Sequence, residues 1–227
     1  MVTTLYLIRH GETWGSETKR YKGSIDVPLS DNGIGQIKRS SVFIKEYLTK
    51  STSSGHLNYL RDIHGTQSLS PSAELQIKAI YCSTLDRAKV SAEIISGHYD
   101  LIPVPMPDLR ERCFGIWEGM TFTEIKKNYP AEFESWAENP LKYSPPGGES
   151  TLEVRDRVIP SIAGILDSHK GEHIVVVAHG GVNRIILCHF MGIPLENIFR
   201  IEQDYAAVNV IEFWDKYPVI KLLNGGT

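Results

Sequence analysis

Leu5-Tyr6-Leu7-Ile8 is a short unbroken apolar run, and it predicts a buried β-strand from Thr3 to Arg9. Ile174-Val175-Val176-Val177-Ala178 repeats the pattern far downstream and predicts a second such strand. Between them the period changes. Ile34, Ile37, Val42, Phe43, Ile44, Tyr47 and Leu48 fall at helical spacing, with turn and cap chemistry in Asp31-Asn32-Gly33 just before them. Ala79 to Ser83 reads as a strand, and Leu85 to Ser96 as a helix with Arg87 in its first turn and Gly97 at its end. Ile102 to Met106 is extended. Phe122 to Lys127 and Ala131 to Glu138 are short helices separated by Pro130. After the loop Pro145-Pro146-Gly147-Gly148, Glu149-Ser150-Thr151 opens a long helix to Ser168, in which Pro160 predicts a kink. Gly181 to Met191 is helical and stops at Gly192-Ile193-Pro194; Val208 to Phe213 and Val219 to Leu223 are closing strands. Strands alternating with helices argue for a layered α/β fold around a mostly parallel sheet.

One stretch breaks the alternation. Residues 50 to 74 are polar and rich in Ser, Thr and Gly, too long for an ordinary connection, and are read as an insertion. It contains His56, Arg61, Asp62 and His64, but a surface excursion explains it better than a metal or substrate site. Leu57, Tyr59, Leu60 and Ile63 predict a short helix that docks on the domain or on a second copy, which leaves a homodimer open.

Composition narrows the function classes. The 227 residues are enough for one domain with an ample core, and 41% hydrophobic against 22% charged is a globular mixture. A net charge of -3 gives no basic excess for nucleic acid, so an anionic ligand would have to be held by a local cluster of Arg and His. No apolar run approaches the roughly 20 residues that span a bilayer, and Met1-Val2 passes straight into a strand with no secretory pattern. Three cysteines, Cys82, Cys113 and Cys188, without metal-like spacing predict reduced, buried thiols in a cytoplasmic protein.

The candidate chemistry begins where the first strand ends, at Arg9-His10-Gly11-Glu12; the second strand ends similarly at His179-Gly180-Gly181. Carboxyl ends of strands in open α/β sheets are where ligand sites form. Either His alone is compatible with an ordinary hydrogen-bonded residue. Two together, with Arg9 and Arg87, suggest a cavity for a tetrahedral dianion. Guanidiniums stay charged and match phosphate oxygens in pairs, and one neutral imidazole can attack while another donates a hydrogen bond. Glycines after each His let backbone approach an oxyanion, and helix amino termini after Gly11 or Gly180 would add N–H donors. No metal-ligand spacing is apparent, and the site requires no metal or other cofactor. A leaving alkoxide needs a proton; Glu111, in a Gly-bounded loop with Phe114 and Trp117, is a candidate, with Glu118 and Glu12 competing.

The chain resembles the histidine phosphatase superfamily, also called phosphoglycerate mutase-like. The resemblance rests on Leu7 to Thr13, Asp26-Val27-Pro28-Leu29-Ser30, Tyr81 to Ala88, the Glu111 to Gly119 loop, Pro146-Gly147-Gly148-Glu149-Ser150, and Val176 to Val182. It covers nearly all of 1–227 as one domain except the insertion. It implies a three-layer sandwich, helices flanking a mostly parallel sheet, with a small helical cap over 120–146. It further implies that His10 is the nucleophile, passing through a phosphohistidine. Arg9, Arg87 and His179 would hold the phosphoryl group, and Glu111 would be the acid/base carboxylate. Ser16, Lys22, Gly23 and Gly180 would border the phosphate; many relatives carry Asn and Gln where this chain has Ser16 and Lys22. Glu12 and Thr13 become structural supports.

Within the family, cofactor-dependent mutases carry a Lys where this chain aligns Phe122, and paired arginines where it has Ala137-Glu138. Losing cations for a substrate carboxylate favours hydrolysis of a small-molecule phosphomonoester. The run from Ile193 to Arg200, with Ala206 to Ile211, looks most like the α-ribazole phosphatase branch of cobalamin biosynthesis. The alternatives are a cofactor-dependent phosphoglycerate mutase and a non-catalytic phospho-ligand binding protein. Phe122, Ile125, Tyr129, Phe133, Trp136, Leu141 and Tyr143 crowd the cap, and those facing the pocket would suit an apolar or aromatic leaving group.

Overall fold

β1 (Val2–Arg9) is buried on both faces, which is why its apolar run is continuous rather than alternating. Leu5 and Leu7 point to one side and Tyr6 and Ile8 to the other, and each side belongs to a separate core. The computed structural model describes residues 2–51, 76–215 and 217–226. The reading of residues 50–74 as an insertion lies outside them beyond Ser51, as does the short helix expected over Leu57 to Ile63.

A six-stranded mixed sheet organises the chain, in the order β3-β2-β4-β1-β5-β6. β2 (Ile77–Ser83), β3 (Val104–Met106) and β4 (His173–Ala178) run parallel with β1. β5 (Val208–Trp214) and β6 (Tyr217–Gly225) close one edge as an antiparallel hairpin. On one face lie α1 (Asp31–Ser51) and α2 (Asp86–Ser96), packed on Tyr6, Ile8, Ile80, Val175 and Val177 through Ile37, Ile44, Ala88, Ala92 and Ile95. On the other lie α5 (Thr151–Ser168) and α6 (Gly180–Met191), packed on Leu5, Leu7, Ile174 and Val176 through Val154, Val158, Val182 and Ile186. This is the expected three-layer sandwich. Each of the Ile, Leu and Val side chains among them contributes about 1.5–3 kcal/mol by leaving water. The cap consists of α3 (Phe122–Asn128) and α4 (Pro130–Glu138).

Local chemistry explains the element boundaries. Ser30, rather than Asp31-Asn32-Gly33, caps α1: its Oγ accepts from the Gly33 N–H at 3.0 Å. Pro130 does not only separate the cap helices; it is the first residue of α4, where a missing N–H costs nothing. Ser150 and Glu153 form a reciprocal capping box on α5, which then continues through Pro160. No helix among the described residues is long and apolar enough to cross a membrane. All three cysteines are free, and Cys113 is half-buried where a buried thiol was expected.

Candidate active site

β1 and β4 are adjacent and in parallel register, with Arg9 opposite Ala178. The residues that follow therefore leave the same sheet edge together: the His10 N–H donates to Ala178 O at 3.0 Å, and the His10 and His179 rings lie 5.1 Å apart. β2 contributes Arg87 through the first turn of α2, and β3 contributes the Glu111 loop. Four carboxyl ends thus converge where the strand order departs from the chain order.

The result is a cavity of about 430 Å³ lined by Arg9, His10, Ser16, Lys22, Gly23, Arg87, Glu111 and Gly180, among others. His179 is fully buried and packs its ring edge to face against His10. Thus all nine residues expected at the site from the sequence come together. Gly180 does open α6, but no helix starts at Gly11; the chain runs on as a loop to the single 3-10 turn Ser16–Thr18.

His10 has a defined tautomer. Its Nδ1 lies 2.7 Å from Gly11 O, and since a carbonyl only accepts, Nδ1 carries the proton and Nε2 keeps its lone pair. Burial, then the guanidiniums of Arg87 and Arg9, hold its pKa well below the usual imidazole range, so the ring is neutral near pH 7. His179 is likewise held well below that range by burial, Arg87, His10 and Arg9. Neither of its ring nitrogens has a hydrogen-bond partner among the described residues, so the one N–H of the neutral ring is uncommitted and can donate to an oxyanion.

The arginines are anchored by backbone carbonyls. Arg87 Nη1 donates to Ile25 O at 2.8 Å and Nη2 to Gly23 O at 2.7 Å. Gly23, at φ 47°, is packed so tightly that a Cβ would lie 2.4 Å from Glu118 Oε1. Arg9 Nη1 donates to Gln203 O at 2.6 Å, and Gln203 is held by Asn209, whose Nδ2 returns to Leu7 O at 3.0 Å. Lys22 Nζ donates to Thr13 Oγ1 at 2.9 Å; burial and Arg87 lower its pKa.

The three competing carboxylates separate by their partners. Glu12 is spent on the start of α1, accepting from Ser30 Oγ at 3.0 Å and Asn32 Nδ2 at 3.1 Å. Glu118 accepts from the main-chain N–H groups of Ser24 and Phe114 and ties two loops together. Glu111 alone of the three lines the cavity. It accepts from the N–H of Gly181 through Oε2 at 3.1 Å and from that of Arg112 through Oε1 at 3.0 Å. Arg157, paired with Glu149, reaches back to Asp108 O and Glu111 O and fixes that loop.

Outside the phosphate-sized end, the wall is aromatic. Phe122, Phe133 and Trp136 of the cap line the cavity with Trp117, Phe114 and Tyr21, and Phe122 meets Phe133 edge to face at 5.0 Å. Ala137 and Glu138 are exposed and lie outside the lining. Tyr205 and Arg184 also line the cavity and were not singled out in the sequence. The missed signal is topological: β5 is antiparallel to β1, so the residues just before Val208 sit at the edge where β1 ends.

Comparison with known proteins agrees with this geometry. The sequence model of the histidine phosphatase superfamily (branch 1) matches residues 5–56 and 69–225. Phosphoserine phosphatase 1 of Hydrogenobacter thermophilus is 29% identical over 97% of this chain and 91% of its own. The adenosylcobalamin/α-ribazole phosphatase of Escherichia coli is 24% identical over 97% and 95%. The crystal structure of the α-ribazole phosphatase from Shigella flexneri superposes with a TM-score of 0.79 at 23% identity, over 99% of this chain and 97% of that one, and shares its fold.

Proposed function

Because this chain belongs to the histidine phosphatase superfamily and is a phosphatase, we propose that it hydrolyses phosphomonoesters without a metal, through a phosphohistidine on His10. The observation that carries the reading is the Nδ1–H bond to Gly11 O, which leaves the neutral ring's Nε2 as a nucleophile in a cavity lined by the Arg9 and Arg87 guanidiniums. In the first step Nε2 attacks phosphorus, the P–O ester bond breaks, and Glu111 protonates the departing alkoxide. In the second, Glu111 takes a proton from water, the water oxygen attacks phosphorus, and the P–N bond breaks to release phosphate. Arg9, Arg87 and His179 stabilise charge on the transferring group in both steps, while Ser16, Lys22, Gly23 and Gly180 border it.

The aromatic wall of Trp117, Phe122, Phe133 and Trp136 favours a leaving alcohol with an apolar or aromatic body. We propose α-ribazole 5′-phosphate, with a role in cobalamin biosynthesis, as the candidate substrate; the name of the Escherichia coli relative supports it. The relatives' phosphoserine activity is the competing possibility that a substrate screen resolves. Purified protein should hydrolyse p-nitrophenyl phosphate in EDTA, and quenching in base should trap a phosphoenzyme that His10→Ala lacks. Turnover persisting in that variant overturns the mechanism. A panel of α-ribazole 5′-phosphate, phosphoserine and 3-phosphoglycerate with 2,3-bisphosphoglycerate tests the substrate. Preference for phosphoserine, or mutase turnover, would overturn the α-ribazole reading.

A further inference from the structure

Tyr205 does more than line the cavity. Its ring centroid lies 3.8 Å from the Cζ of Arg9 and 5.7 Å from the His10 ring, so one half-buried aromatic covers the guanidinium and abuts the nucleophile's imidazole. A face-on contact this close is an attractive cation–π pair. The surrounding segment is built around the same cation. Gln203 O accepts from Arg9 Nη1, Ala207 O accepts from the Arg9 main-chain N–H, and the Ala206 N–H donates to His10 O.

The backbone that places the ring is strained. Ala206 is fully buried at φ 61°, a left-handed conformation that costs a residue with a Cβ. It is held there by Ser40 Oγ, which donates to Ala206 O at 2.7 Å, and by the bond to His10 O. Asp204 is tied in turn to Asn224 by two hydrogen bonds. Strain maintained by this many bonds, next to two site residues, points to a demand on where Tyr205 sits.

We propose that Tyr205 is a positioning residue: its ring clamps the Arg9 guanidinium in the plane that meets the phosphoryl oxygens of the transition state. The other guanidinium edge is already held by Gln203 O, so the ring removes the remaining freedom, rotation out of plane. The face, and not the hydroxyl, is what acts. The inference rests on the proposed phosphoryl transfer at His10.

Tyr205→Phe and Tyr205→Leu separate face from hydroxyl, with p-nitrophenyl phosphate as substrate and vanadate and inorganic phosphate as inhibitors. The Phe variant should keep kcat within about twofold. The Leu variant should lose about tenfold in kcat and in vanadate affinity, with phosphate affinity and KM changed by less than threefold. In an Arg9→Lys background the same Leu substitution should add less than threefold, because the flat cation it clamps is gone. Equal losses for vanadate and phosphate, a Phe variant as poor as Leu, or full additivity with Arg9→Lys would overturn the proposal. If the Leu variant fails to fold, Tyr205→Met carries the same expectations. A wild-type protein inactive on p-nitrophenyl phosphate would instead count against the phosphatase mechanism, a separate outcome.

Discussion

Glu111 Oε2 accepts a hydrogen bond from the main-chain N–H of Gly181 at 3.1 Å, so the cavity's carboxylate is anchored in the first turn of the helix that His179 caps. The amino end of a helix favours negative charge, and the bond fixes which oxygen faces the helix. Two residues far apart in sequence thereby share one support, and the carboxylate's position depends on a glycine.

A Cβ at Gly181 would come 2.7 Å from Glu111 Oε1. The clash is with the far end of a side chain, so Glu111 will move before the helix does. Gly181→Ala should fold with a melting temperature near wild type and lose roughly tenfold to a hundredfold in kcat/KM, as expected for a misplaced proton donor. Steady-state kinetics beside thermal melting check this; unchanged kinetics would mean Glu111 tolerates displacement.

Glu111→Gln should show a loss that depends on the leaving group. An alkyl phosphate, whose alkoxide needs a proton, should slow by about a hundredfold or more, and p-nitrophenyl phosphate by clearly less. Equal losses for both esters would remove Glu111 from the acid role.

Stability should depend on pH through the buried histidines. His10 and His179 are held well below the ordinary imidazole value by burial and then Arg87, and His173 is lowered by burial. Unfolding returns each to about 6.5. Below that value and above the folded pKa the unfolded chain binds the extra proton, so stability falls as pH falls, by about 1.4 kcal/mol per pH unit per histidine. The melting temperature should be level above pH ~7 and decline between pH ~6.5 and ~5. Glu153, held at about 2 by the Ser144 hydroxyl and the Ser150 N–H, contributes at higher pH and loses its effect only as pH drops below the usual carboxylate range. His179→Gln should flatten the upper slope by about one proton, as read from melting curves across that range.

The aromatic wall should govern KM. Phe122 is 47% exposed and packs on Phe133 and Trp136, so Phe122→Ala opens the wall without emptying a core. For an aryl phosphate KM should rise about three- to tenfold with kcat nearly unchanged, because an interaction common to ground and transition states is lost. For phosphoserine both constants should stay within about twofold. A fall in kcat alone would place Phe122 in the transition state instead.

The sequence by itself determined the layers and most of the site. Apolar runs such as Leu5-Tyr6-Leu7-Ile8 are legible because strands buried on both faces must be continuously hydrophobic, and Arg9-His10 and His179 are legible because each follows such a run. Four elements of the picture needed the tertiary structure. Strand order put β4 beside β1 and brought the two histidines to 5.1 Å. Hydrogen bonding gave the physical reason why Glu111, and not Glu12 or Glu118, faces the cavity, a choice the residues alone left open and only the family resemblance made. The Gly11 carbonyl chose the tautomer of His10. The antiparallel direction of β5 delivered Tyr205 onto Arg9 across a separation of nearly the whole chain. The physical reason is the same in each case. Periodicity reports which face of an element is buried, a local property, whereas pairing, direction and side-chain partners depend on contacts between segments that no local pattern encodes.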